Sequence, residues 1–464
     1  MKKHSVDIRS RACLKRSCLL MTLVALSFSS GAQAAGLTDT TDIHYTGKVS
    51  INDAAYSGDS VEITGKGFKP DQKIQLSSDG TTITTQPFIH ADNKGNFKTR
   101  VNIPAKAPEG IHPVVVQSFE PSYTSVFDFK ISPRIPLSNT ENFQITRAAV
   151  NPGVYQGGYS VKSHAIFITA SVGHPPIKES TLTKVNPETL AIEHQVTPPM
   201  APDGKQLEAV YGIAIDDVAG TVWTGSTRTG AVTVYKQDDL SVVKQFPDKV
   251  SPHSFGLAVN GPRHRAYVAA HGKDFISVFN TETLEPKSRI TLDSPTKTKT
   301  LPAPLSLTLD QEGGKLYAVT TTDQVYVIDE ASESVEKVFN LKGATGATGI
   351  AYAPEEKLLF VAAQVSDRLQ ILDARDGTLK AEVKVGAGPL SVVWEPAKKL
   401  AYVACRASNS VAVVNAQGKL VANLPGGSYA NHLFTDGKGT VFGLNKSHGA
   451  HDKEGDHISR YIAK

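Results

Sequence analysis

The chain has 464 residues, of which 40% are hydrophobic and 20% charged, and a formal net charge of +4. That length is too great for one ordinary core, so two or three units or a long repeat fold are expected. The composition is that of a globular protein and excludes broad disorder.

The first 17 residues carry Lys2, Lys3, Arg9, Arg11, Lys15 and Arg16, followed by the apolar run Leu19 to Phe28 and then Ala32-Gln33-Ala34. A basic head, a short apolar middle and small residues at a cleavage site read as an export signal over residues 1–34, cut after Ala34. A run of about ten apolar residues reaches only ~15 Å as a helix, half of a bilayer's hydrocarbon core, and no later segment could span one. Export is therefore expected. Cys18 precedes the apolar run, where it could not carry a lipid. Cleavage removes six basic residues and one acid, Asp7, so the net charge falls from +4 to −1. Attraction for a polyanion must then come from a local patch. Cys13 and Cys18 leave with the signal, and Cys405 in AYVACRASN is expected to be a small buried residue.

Residues 48–130 alternate in the period of short strands (Val61-Ile63, Ile74-Leu76, Phe97-Val101-Ile103, Val114-Val116), separated by Gly, Pro, Asn and Asp turns. Short strands at this spacing predict a small β-sandwich. The turns GKGFKPDQ and ADNKGNF, with IPAKAPEGIHPVVV, resemble bacterial immunoglobulin-like modules. Such a module acts as a spacer or, less commonly, as a docking unit. A proline-bearing linker over 131–142 follows.

From residue 143 onward one unit recurs. Its clearest copy, GIAYAPEEKLLFVAAQVSDRLQILD from Gly349 to Asp373, reads strand, turn, strand, loop, strand. Seven copies align on Phe167, Trp223, Tyr267, Tyr317, Phe360, Tyr402 and Phe442, spaced 56, 44, 50, 43, 42 and 40 residues apart. A period of roughly 40–45 residues with three or four strands per unit predicts propeller blades. The fold class expected is all-β: a seven-bladed β-propeller over 143–464 preceded by the sandwich. The last unit lacks an outer strand, and Phe143 to Val150 stands ready to supply it, which would remove the unpaired edges.

The repeats AYVAAH, LYAVTT, LFVAAQ and AYVACR resemble the YVTN-type repeats of secreted bacterial propellers. ITRAAVNPGVYQGGYS, KVNPETLAIEHQV and TVWTGSTRTGAVTVYK resemble the opening blades of the periplasmic YncE family. The likeness spans about Gln144 to Lys464 and leaves out residues 48–130. It implies a non-enzymatic periplasmic protein, with nucleic-acid binding suggested for some members.

In a propeller, the start of each inner strand and the loop between the second and third strands share one face, around one end of the central channel. The strand starts are Tyr155, Tyr211, His253 with Phe255, Leu305, Thr348, Leu390, and Asn431 with His432. The loops contribute His174, Arg228, His271 with Lys273, Asp323, Asp367 with Arg368, Arg406 with Asn409, and Lys446 with His448 and His451. Cationic and imidazole groups outnumber acids, so an anion-binding mouth is expected from Arg228, His253, His271, Lys273, Arg368, Arg406, His432 and Lys446, with Tyr155, Tyr211 and Phe255 available for stacking. The expected partner is an anionic ligand, single-stranded DNA first, then a protein of the envelope. A monomer is expected.

The tail NKSHGAHDKEGDHISR offers His448, His451 and His457 with nearby acids as metal ligands, but a solvated loop is the better reading of that spacing. No haem, zinc-protease, hydrolase-elbow or phosphate-loop motif is present, and no cofactor is expected. GATGATG at Gly343 to Gly349 reads as a connection into a blade. The best enzymatic alternative is a lactonase-like hydrolase using His253, His271, Arg228 and Arg368.

Overall fold

The computed structural model describes residues 40–293, 300–449 and 451–464. The expected export signal lies outside the described residues. The chain is all-β: among the described residues the only helical turns are the short 3-10 segments Thr140–Asn142 and Gly261–Arg263. Among the described residues no helix is long and apolar enough to cross a membrane.

The N-terminal part has one three-stranded sheet, Lys48–Ile51, Ser60–Lys66 and Phe97–Asn102, and a second built on Lys73–Ser78, Gly110–Phe119 and Tyr123–Ile131. Ile63, Phe97 and Val101 of the first sheet share a core with Ile74, Leu76, Val114, Val116 and Phe129 of the second. These are the alternating residues of the sequence, turned inward by the two-residue period of a strand.

Seven four-stranded antiparallel sheets follow among the described residues, at 154–196, 210–245, 254–291, 304–340, 347–384, 389–425 and 430–463, here numbered first to seventh. Neighbouring sheets meet through their innermost strands, and the innermost strand of the first sheet lies against that of the seventh. The sheets thus form a ring consistent with a propeller. The aromatic anchors Phe167, Trp223, Tyr267, Tyr317, Phe360, Tyr402 and Phe442 are all buried, each in the second strand of its sheet. Burial of each contributes about 1.5–3 kcal/mol before entropy is counted. The seventh sheet borrows its outer strand: Phe143–Ala149 pairs antiparallel with His457–Ala463, from Phe143 opposite Ala463 to Ala149 opposite His457.

Two devices repeat around the ring. Every innermost strand is bulged near its start, and the residues left out of register include Tyr155, Tyr211, Phe255, Leu305, Thr348, Leu390 and Asn431. A bulge frees a residue from the ladder and re-aims its side chain. Sheets pack closely there: a Cβ on Gly212 would stand 2.1 Å from the Phe255 carbonyl oxygen, and one on Gly256 would stand 2.4 Å from that of Leu305. Only glycine permits that approach.

The second device joins sheet to sheet. Asp323, Asp367, Asn409 and Asp456 each sit at φ between 53° and 56°, just before a third strand. Each side chain accepts a backbone N–H from the next sheet's lead-in, those of Ala347 (2.7 Å), Gly388 (2.7 Å), Tyr429 (2.9 Å) and Gly153 (3.0 Å) respectively. Asp and Asn tolerate this left-handed conformation and carry the acceptor it requires. Cys405 is fully buried, its thiol pKa pushed up to about 12 by desolvation.

The N-terminal sheets are fastened to the ring beside the fifth and sixth sheets. Lys130 Nζ donates to Asp367 Oδ1 (2.8 Å) and to the Gln364 carbonyl (3.0 Å), and Lys384 pairs with Glu109 at 2.7 Å. The linker runs along the sixth sheet's edge, where Ser138 and Asn423 bridge and Asn423 Nδ2 donates to the Ile135 carbonyl.

Candidate functional site

The ring encloses a cavity of about 500 Å³, within the range of pockets that hold small ligands. All seven bulged residues, Tyr155, Tyr211, Phe255, Leu305, Thr348, Leu390 and Asn431, line it. The bulges therefore account for a site assembled from seven separated stretches of chain.

At one side of the mouth the Tyr155 and Tyr211 rings lie 3.5 Å apart, tilted by 33°. A small cluster of Ile177, Ala209 and Leu207, from the long connections of the first sheet, packs behind them. Lys446 Nζ stands 3.1 Å from the centre of the Tyr155 ring, and the Arg406 guanidinium lies 4.4 Å over Tyr429. Arg406 Nη1 also donates to Asn431 Oδ1, whose amide Nδ2 donates to the Tyr155 carbonyl at 2.7 Å. His448 stacks on Tyr429 at 3.4 Å. Ring faces attract these cations, but a π-face supplies less than a carboxylate would.

Among the described residues neither Arg406 nor Lys446 has an ion-pair partner. Burial, reinforced by Arg406, lowers the Lys446 pKa to about 7. Desolvation also lowers that of Arg406. Asp456 acts on Lys446 through its field, but its Oδ1 already accepts the Gly153 N–H. Arg228, exposed and without a hydrogen bond among the described residues, is close enough to act electrostatically on both Tyr155 and His253. The Tyr155 hydroxyl is held neutral, its pKa raised first by burial and then by Tyr211.

His253 and His271 face each other edge-on at 5.0 Å, and Phe255 lies 6.2 Å from His271. Desolvation lowers both imidazole pKa values, and His271 and Arg228 lower that of His253 further. His271 Nδ1 is buried without a hydrogen-bond partner among the described residues. His432 lines the cavity wall; its Nδ1 accepts the Gly157 N–H at 3.3 Å, and burial brings its pKa to about 4, so it is a neutral acceptor.

The structure thus brings Tyr155, Tyr211, Arg228, Arg406 and Lys446 together, with His253, His271 and Phe255 beside them. Lys273 lies in an exposed turn, its side chain without a hydrogen bond or ion pair among the described residues. Arg368 is placed elsewhere, in a second cleft of about 340 Å³ between the N-terminal sheets and the ring, 3.5 Å from Glu382. The four groups considered for lactone hydrolysis therefore do not surround one substrate. In the tail, His448 is taken up by Tyr429, His457 Nδ1 lies 2.7 Å from the Gly455 carbonyl, and His451 is exposed. Among the described residues no three His, Cys, Asp or Glu side chains gather to hold a metal. Tyr429 and Gln364 are mouth residues that sequence reasoning missed. The signal for Tyr429 was its position two residues before Asn431.

No family model matches the chain. The chain is similar to YncE. Over 251 residues it is 22% identical to the uncharacterized protein YncE of Escherichia coli K12, covering 52% of this chain and 67% of that one. The YncE proteins of Salmonella typhi and Salmonella typhimurium are each 23% identical over 253 residues. Among solved structures, Kuenenia stuttgartiensis hydrazine synthase superposes with a TM-score of 0.53 at 16% identity, over 64% of this chain and 94% of that one. At that identity the likeness concerns fold alone.

Proposed function

We propose that this is an exported, periplasmic binding protein: a seven-bladed propeller carrying an immunoglobulin-like module, whose channel mouth takes an anionic ligand. One observation carries the reading. Arg406 and Lys446 are desolvated at a mouth where, among the described residues, no carboxylate forms an ion pair with them, and Arg228 stands nearby. A buried cation without a counter-charge is costly. An arriving anion would supply the missing charge, and Tyr155, Tyr211 and Tyr429 would offer faces for stacking. Single-stranded DNA satisfies both requirements, through its phosphates and its bases.

The test is a titration of the full mature chain with labelled single-stranded DNA at low and high salt. Binding should weaken with salt, and the triple variant Arg228→Gln/Arg406→Gln/Lys446→Gln should lose at least tenfold in affinity and most of the salt slope. Equal binding by the variant, or indifference to salt, would overturn the anion site. A protein partner in the envelope is the second reading, favoured by the N-terminal sheets being fastened beside the mouth through Lys130 and Lys384.

A further inference from the structure

The mouth is lopsided. Its cations come from loops of the sixth, seventh and second sheets (Arg406, Lys446 and Arg228), while the bulges of the third, fourth and sixth sheets present Phe255, Leu305 and Leu390. These three apolar side chains are only half-buried, although each lines the cavity. Phe255 and Leu390 belong to none of the buried apolar clusters between sheets, so packing of the ring does not explain them. The same wall continues inward along the innermost strands with Leu307 and Val393, also half-buried. Thr348, the bulge between Leu305 and Leu390, turns its hydroxyl onto the Leu390 carbonyl at 3.1 Å and so spends its proton within the ring. Here the cations run from the sixth sheet round to the second, and the half-buried hydrocarbon from the third round to the sixth, with Ser306, Thr308 and Ser391 interspersed.

Resting on the anion reading above, we infer that the mouth's ligand is a small amphiphilic carboxylate: an acid head held by Arg406 and Lys446, and an apolar body laid across Phe255, Leu305 and Leu390 into the channel. Each part has its counterpart in the mouth. The head meets cations that lack a carboxylate, the body meets half-buried hydrocarbon, and a cavity of about 500 Å³ encloses a molecule of modest length. Area removed from water on the apolar arc and charge pairing on the cationic arc act on the same ligand, so neither half alone should bind well.

Calorimetric titration of the full mature chain with octanoate, acetate and 1-octanol separates the two contributions. Octanoate should bind at least tenfold more tightly than either acetate, which is head alone, or 1-octanol, which lacks the charge. In Arg406→Gln/Lys446→Gln the advantage over 1-octanol should vanish; in Leu390→Asn the advantage over acetate should shrink severalfold. Phe255→Ser repeats the second arm on a different sheet should Leu390→Asn not fold. Acetate matching octanoate, or both apolar variants binding octanoate as the parent does, overturns the amphiphile while the anion site stands. If octanoate does not bind but the oligonucleotide does, the amphiphile falls alone. If neither binds, both readings fall together.

Discussion

Two places in the ring hold partly buried cations, and they are resolved differently. At the junction with the N-terminal sheets, Lys130 meets Asp367 at 2.8 Å and the Gln364 carbonyl at 3.0 Å, while Asp367 also accepts the Gly388 N–H. At the mouth, Arg406 and Lys446 have one amide oxygen and two aromatic faces between them. The junction is a finished hydrogen-bonded pair and stands as a structural joint. The mouth is unfinished in the same chemical terms. A protein that keeps such a deficit gives up stability there, as sites built for binding commonly do.

The largest effect is expected at the joint. Asp367→Ala should lower stability by about 3 kcal/mol in urea denaturation, the low end for a broken buried pair because Lys130 keeps some contact with water. Asp367→Asn should fall between it and the parent, since it keeps an acceptor for Gly388. If the alanine variant costs no more than an exposed substitution does, the contrast between joint and mouth is lost.

The reverse balance is expected at the mouth. Arg406→Gln should leave the urea midpoint unchanged or raised while weakening anion binding at least tenfold, about 1.4 kcal/mol. A destabilised variant that still bound the anion would make Arg406 part of the scaffold instead.

Lys446 adds a pH signature. Its folded pKa of about 7 lies below its ordinary 10.5, so between those values the unfolded chain holds the additional proton and stability rises with pH. Lys446→Met should flatten that rise. A bound anion favours the charged amine, so anion affinity should fall as pH climbs through about 7. Desolvation lowers the pKa values of His253 and His271 from 6.5, so these imidazoles lose their charge at lower pH than Lys446 does. The smallest effect is expected at the exposed half of the joint, where Lys384→Ala breaks the pair with Glu109 and should cost under about 1 kcal/mol.

Much of this was legible before any coordinates. The anchors from Phe167 to Phe442 announce the repeat because a strand buried on both faces needs a large apolar residue at the same place in each sheet. The strand starts were legible too, since equivalent positions in repeats converge by symmetry. Arg368 was assigned to the mouth on the same logic, yet it faces the cleft beside Lys130. Repeat periodicity says nothing about where a non-repeating unit will sit. Asp323 and Asp367 read as acids of the rim, whereas their left-handed backbone and bonds to the next sheet make them fasteners. That role depends on φ, which a single Asp in a loop does not disclose. The bulges were invisible for a related reason, because one unpaired residue leaves the alternation on either side intact.

The borrowed strand Phe143–Ala149 has a consequence in time. It pairs with His457–Ala463, so the edge it completes stays open until some three hundred residues have followed it. A contact so distant along the chain comes late and slowly in folding. The ring cannot shut before the strand His457–Ala463 has been made. Completion of the seventh sheet is the step at which this protein becomes a closed object.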